Sequence, residues 1–120
     1  MLKPALIAGA VILVLGSGVG AGNERGLASH YGVGDGLHGK LTACGKPLNA
    51  YAFVAAHPTY RCGKRLQVIR PSNNASVIVT VVDYGPHPKT GRIIDLSYGA
   101  AKVLGFVDQG VARVLVVPLR

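Results

Sequence analysis

The stretch Ser76-Val77-Ile78-Val79-Thr80-Val81-Val82-Asp83-Tyr84-Gly85-Pro86 decides how this chain is read. Six apolar or β-branched residues in a row favour extended structure. With no polar alternation until Asp83, the run reads as a strand covered on both sides. Gly85, Pro86 and Pro88 then forbid its continuation, so Asp83 stands where a sheet strand ends.

Upstream, Pro71-Ser72-Asn73-Asn74 is a turn by composition, with asparagines able to take positive φ. Lys64 to Arg70 alternates Leu66 and Val68 against Arg65 and Gln67, a half-exposed strand. Asn49 to Ala56 is an apolar extended run that His57-Pro58 terminates, and Gly26 to Tyr31 opens the series. The glycine-rich Gly32 to Gly39 between them can only be loop or bulge. Downstream, Arg92 to Leu96 resumes extended structure. Ser97 suits a helix N-cap, Tyr98 to Leu104 gives two turns of helix, and Gly105 stops it. Gly110 to Pro118 is the closing strand. Six or so short strands, one short helix and no long free edge predict a mainly β, closed small barrel in one domain, residues 23–120.

Residues 1–22 are different in kind. Lys3, an apolar run from Ala5 to Leu15 and a small-residue stretch ending Val19-Gly20-Ala21 describe a secretory signal peptide. The alternative is an uncleaved membrane anchor, since Pro4 to Ala21 carries no charge. Either way the barrel is expected in an exported, periplasmic or extracellular setting. Cys44 and Cys62, an even count in an oxidising compartment, then read as a disulfide. Their spacing with His57 matches no usual zinc pattern, so neither a metal nor a cofactor is expected.

The whole chain has 13 Lys and Arg against 5 Asp and Glu, a formal net charge of +8. Such a balance favours a polyanionic partner. For an exported protein that partner is an anionic envelope polymer rather than nucleic acid, and the basic residues form no aromatic-interleaved stripe. The plainer alternative is a solvated basic surface that aids solubility. A monomer is expected.

Few groups here are able to do acid–base chemistry. Glu24, Asp35 and Asp108 look solvated. Asp83 and Asp95 each adjoin an apolar run, where desolvation favours the protonated acid. The structural alternatives are a turn-forming Asp83 and an Asp95 that bonds loop amides or the helix start. No nucleophile elbow and no phosphate-binding glycine loop competes.

Six motifs in order resemble the rare lipoprotein A family. Gly26-Leu27-Ala28-Ser29-His30-Tyr31 is similar to its opening G-x-A-S-x-Y, and His38-Gly39-Lys40-Leu41-Thr42-Ala43 to its HG-x-x-TA. Val54-Ala55-Ala56-His57 resembles T-A-A-H, and Val82-Asp83-Tyr84-Gly85-Pro86 resembles N-D-R-G-P. Gly91-Arg92-Ile93-Ile94-Asp95-Leu96-Ser97 and Gly110-Val111-Ala112-Arg113-Val114 complete the set. The resemblance implies a six-stranded double-psi β-barrel and a lytic transglycosylase that cleaves peptidoglycan glycan strands to leave 1,6-anhydromuramyl ends. It implies Asp83 as the catalytic acid, with His57, Tyr31, Ser29 and Asp95 lining the sugar groove.

Two departures matter. Lys46 and Asn49 stand where the family has acids, and Tyr84 stands where it has arginine. Ala43-Cys44-Gly45 is more similar to the expansins and barwin-like proteins, whose cysteine bridges brace the same barrel. A non-catalytic, expansin-like module that binds and loosens wall polymers is therefore the alternative. A secreted protein acting on a host is a third reading.

Overall fold

A computed structural model describes residues 22–120. The leader expected over residues 1–22 lies outside the described residues, save for Gly22.

Strands β1 (Glu24–Tyr31), β2 (Val54–Ala56), β3 (Arg65–Arg70), β4 (Ala75–Asp83), β5 (Arg92–Ser97) and β6 (Val111–Pro118) form the sheet. A 3₁₀ turn at Pro88–Thr90 precedes β5, and helix α1 (Tyr98–Leu104) follows it. The strands close in the order β1-β5-β2-β4-β3-β6, with β6 returning to β1. Two pairings, β1 with β5 and β2 with β4, are parallel, and the other four are antiparallel. This is the expected double-psi barrel with a single α-helix. Closure leaves none of the six strands with an unpaired edge.

Side chains alternate across the barrel wall. On β4, Val77, Val79 and Val81 face the interior, whereas Ser76 and Ile78 are exposed. The β-branched run is therefore covered on one face, not two. Ile78 keeps the strand's backbone preference without reaching the core, because the outer wall of a small barrel is open to solvent. Leu66, Val68, Ile94, Leu96, Val114 and Val116 complete the interior, joined by Phe106 from beyond the helix.

The helix ends fall where the sequence places them. Ser97 Oγ accepts from Ala100 N at 3.2 Å, capping the start, and Gly105 takes φ 79°, closing the end. Ser97 is wholly buried, and its hydroxyl also donates to Ala52 O at 2.6 Å. One side chain thus joins the helix start to the entry of β2. The apolar run from Asn49 is shorter as a strand than its composition predicts. Asn49 Oδ1 accepts from Tyr51 N and Asn49 O accepts from Ala52 N, so residues 49–52 turn before β2 begins. Gly99 lets this turn lie against the helix, because a Cβ there would stand 2.4 Å from Tyr51 O. Gly99→Ala is expected to lower stability by about 1–3 kcal/mol through overpacking. An unchanged urea midpoint would show that the contact relaxes freely.

Candidate active site

Strand pairing assembles residues far apart in sequence. Ala56 on β2 pairs with Asp83 on one side and with Asp95 on the other, and Asp95 in turn pairs with Ser29 of β1. Adjacent strands are roughly 4.8 Å apart, so the Asp83 and Asp95 backbones stand about 10 Å apart across one strand. Asp83, Asp95 and Ser29 therefore share one band of the wall. Tyr31 closes it, two residues beyond Ser29 on the same strand.

Asp83 is half-buried, and one of its two oxygens is fixed. Its Oδ1 accepts from Ala43 N at 2.9 Å and from Tyr84 N at 3.0 Å. Oδ2 takes no hydrogen bond among the described residues. An acidic proton on Asp83 must therefore sit on the oxygen that no backbone group occupies. The expected disulfide between Cys44 and Cys62 forms, with Cα atoms 5.8 Å apart. It holds the donor of one of those hydrogen bonds in place. Cys44 N bonds Val82 O at 3.2 Å, and Thr42 N and Oγ1 both bond Lys46 O, so residues 42–46 form a tight turn docked on the end of β4. Lys46 is exposed on this turn, and Asn49 is exposed beyond it. Tyr84 is about half-exposed and sets its hydroxyl 3.6 Å from Cys62 Sγ.

Asp95 is bound differently. Ser29 Oγ donates to its Oδ1 at 2.5 Å, and Arg92 Nε donates to the same atom at 3.1 Å. The alternative of a carboxylate bonding loop amides gives way to a hydroxyl and a guanidinium on the barrel wall. Arg92 is a site residue that the sequence reading passed over, although its i,i+3 spacing from Asp95 was visible.

Tyr31 is the most perturbed group here. Burial pushes its phenol well above the ordinary range, and the charges of Asp83, Asp95 and Asp35 push it further. It thus remains an O–H donor at any physiological pH, yet its buried oxygen has no partner among the described residues. A buried hydroxyl left unpaired costs about 1–3 kcal/mol, which an incoming polar group would recover. Because the folded state raises this pKa, its stability contribution is complete below the unfolded value of about 10 and is lost as pH rises above it. Tyr31→Phe is expected to remove that alkaline loss without lowering stability at neutral pH. Urea midpoints taken on either side of about pH 10 check this, and an identical alkaline fall in both proteins would contradict it.

His57 stands apart from this band. It is completely buried, its Nδ1 accepts from Thr59 N and Tyr60 N, and its Nε2 lies 2.8 Å from Glu24 Oε1. Since Nδ1 is an acceptor, Nε2 carries the proton and donates it to Glu24. Both nitrogens are spent inside the protein, so the ring braces the loop after β2 and offers no free nitrogen to a sugar. Glu24, read from sequence as solvated, is the partner that was missed. Asp35 likewise is not idle. It accepts from Gly32 N at 2.8 Å and Leu37 N at 3.0 Å, and the Gly32 bond, foremost, holds its carboxyl below the usual range.

The arrangement offers one acid with a free oxygen, a second carboxylate paired to arginine and serine, and an unpartnered phenol donor. Known proteins are similar to this chain in sequence and in fold. The chain is 48% identical over 92 residues to the endolytic peptidoglycan transglycosylase RlpA of Rickettsia bellii, covering 76% of this chain and 40% of that protein. It is 44% identical over 91 residues to the protein of the same name from Pseudomonas aeruginosa, covering 76% of this chain and 26% of that one. The chain therefore spans well under half the length of these relatives. Among solved structures, a mutant expansin of Clavibacter michiganensis in complex with cellohexaose superposes with a TM-score of 0.64 at 26% identity, over 82% of this chain and 50% of that one. Residues 23–116 match the family model described as lytic transglycolase, almost the whole of the barrel, and the chain belongs to that family.

Proposed function

We propose that this barrel is an exported lytic transglycosylase acting on peptidoglycan glycan strands, with Asp83 as its acid. The observation that carries the reading is the asymmetry of Asp83, whose Oδ1 is pinned by two backbone amides while Oδ2 is left open. In the reaction Oδ2–H protonates the oxygen of the glycosidic bond as that bond breaks at the muramyl anomeric carbon. The 6-hydroxyl of the same sugar then forms a new bond to that carbon and returns its proton to the Asp83 carboxylate. The products are a free 4-hydroxyl and a 1,6-anhydro end, and the enzyme is restored. Attack within one sugar needs no positioned water, so one acid suffices where hydrolases use a carboxylate pair.

Ser29, Asp95 and Arg92 would orient the sugar beside Asp83, and the Tyr31 phenol would donate to one of its oxygens. The Cys44–Cys62 bridge supports export, because disulfides persist in oxidising compartments. The names of the relatives point the same way.

A second reading has its own support. Lys46, on the turn docked against Asp83, and Asn49, beyond it, stand where the resembled family has acids, and a related barrel, an expansin, has been solved in complex with cellohexaose. Under that reading the protein binds glycan and releases nothing. Incubation with sacculi stripped of stem peptides by an amidase separates the two. Soluble fragments with anhydro ends support the transglycosylase, whereas retention on the glycan with no fragments supports the expansin-like module.

A further inference from the structure

An open groove of about 580 Å³ lies on the wall formed by β1 and β6. Arg25, Arg70 and Arg113 line it, with Gln109, Ser72 and Gly26. Arg25 and Arg113 are exposed. Antiparallel pairing sets Arg25 opposite Leu115 and Arg113 opposite Leu27, which makes the two arginines diagonal neighbours on one face. Arg70 is fixed. Its guanidinium donates to the carbonyls of Leu104 and Gly105 and to Gln109 Oε1, all neutral acceptors that leave its charge uncompensated. Its buried Nε has no partner.

Among the described residues the two side-chain ion pairs are His57–Glu24 and Arg92–Asp95, so no carboxylate neutralises any of these three arginines. The groove and the site share no lining residue, and strand β1 lies between Arg113 and Arg92. Leu27 pairs with Arg113 on one side and with Arg92 on the other, and Arg92 holds Asp95.

We propose that this arginine groove is a second binding site, which takes the carboxylates carried along an extended anionic glycan. A strand seated at Asp83 and Asp95 that continues across β1 passes Arg92 and then Arg113 and Arg25. Unpaired guanidinium groups at the groove's rim attract polyanions from a distance. The glycan that fits bears free muramyl lactyl carboxylates, as a strand does once its stem peptides are gone. The identity of the polymer rests on the function proposed above, but the site itself does not.

The test is cosedimentation of the full chain with partly amidase-treated sacculi, which keep enough cross-links to pellet. Arg25→Gln/Arg113→Gln is expected to bind about tenfold or more weakly than wild type. Arg25→Lys/Arg113→Lys should keep most of the binding, because it keeps the charge. Wild-type binding should fall as salt shortens the Debye length from about 10 Å at 0.1 M to about 3 Å at 1 M. Sacculi whose carboxylates are capped as methylamides should bind wild type no better than uncapped sacculi bind the glutamine variant. Equal binding by the glutamine variant and wild type overturns the proposal, as does equal loss in the lysine variant. So does undiminished binding to capped sacculi that soluble poly(glycerol phosphate) competes away, which would assign the groove to phosphates. If wild type releases no anhydro ends yet these arginine effects hold, the catalytic reading falls and the groove stands.

Discussion

Asp83→Asn is expected to slow release of anhydro-ended fragments by about 10²–10⁴-fold, the usual worth of a positioned general acid. The fold should survive the change. Asparagine Oδ1 can keep both hydrogen bonds that Asp83 Oδ1 accepts, from Ala43 N and Tyr84 N, so the turn at residues 42–46 stays docked. What is lost is the transferable proton on the other atom, because an amide nitrogen cannot serve as an acid. Glycan binding should change little, since Ser29, Tyr31, Arg92 and Asp95 remain. The measurement is the initial rate of fragment release by both proteins, alongside cosedimentation and thermal unfolding. Equal rates would remove Asp83 from the chemistry, whereas a variant that unfolds early would show that its carboxylate is structural.

Loss of the Cys44–Cys62 bridge is expected to have the next largest effect. The cross-link joins residues 18 apart, and in the chain-entropy model opening such a loop costs about 3 kcal/mol of stability. A small barrel has only a few times that to lose. The bridge also has a local task, because the segment it anchors supplies the Ala43 amide to Asp83 and the Cys44 amide to Val82 O. Cys44→Ser/Cys62→Ser should therefore unfold at lower urea and, while still folded, release fragments more slowly than wild type. Unfolding at the wild-type urea midpoint would contradict the first expectation. An unaltered rate in the folded variant would show that the turn at residues 42–46 keeps its place unaided.

Much of this architecture is written in local signals. Ser97 and Gly105 mark both ends of α1 because capping is decided by residues within one turn. Asn74, at φ 59°, takes the left-handed turn that its side chain tolerates. The errors arise where tertiary pairing decides. The run at β4 looked buried on both faces because β-branched residues favour strands whether or not they reach a core, and Ile78 does not. The run at Asn49 looked like a strand because it is apolar, but Ala50 is buried in a turn, and Tyr51 and Phe53 are exposed.

The site shows the same division. Asp83 and Asp95 stood out because each adjoins an apolar run, yet nothing local says that Ala56 lies between them. The family motifs supplied that grouping. His57 carries a motif match and still turns inward, because its partner Glu24 is 33 residues away at the start of β1. The arginine groove has no sequence signature at all. Arg25, Arg70 and Arg113 are scattered along the chain and meet only when β6 closes on β1 and β3.

The central claim is that the sugar's own 6-hydroxyl, not water, takes the anomeric carbon. Digestion of amidase-treated sacculi in water enriched in oxygen-18, followed by mass spectrometry of the released ends, tests it most directly. The account predicts muramyl ends that are anhydro in form and carry no label, since the new bond is made to an oxygen already in the sugar. Reducing ends bearing oxygen-18 would show that water is the nucleophile, and the proposed reaction would be wrong.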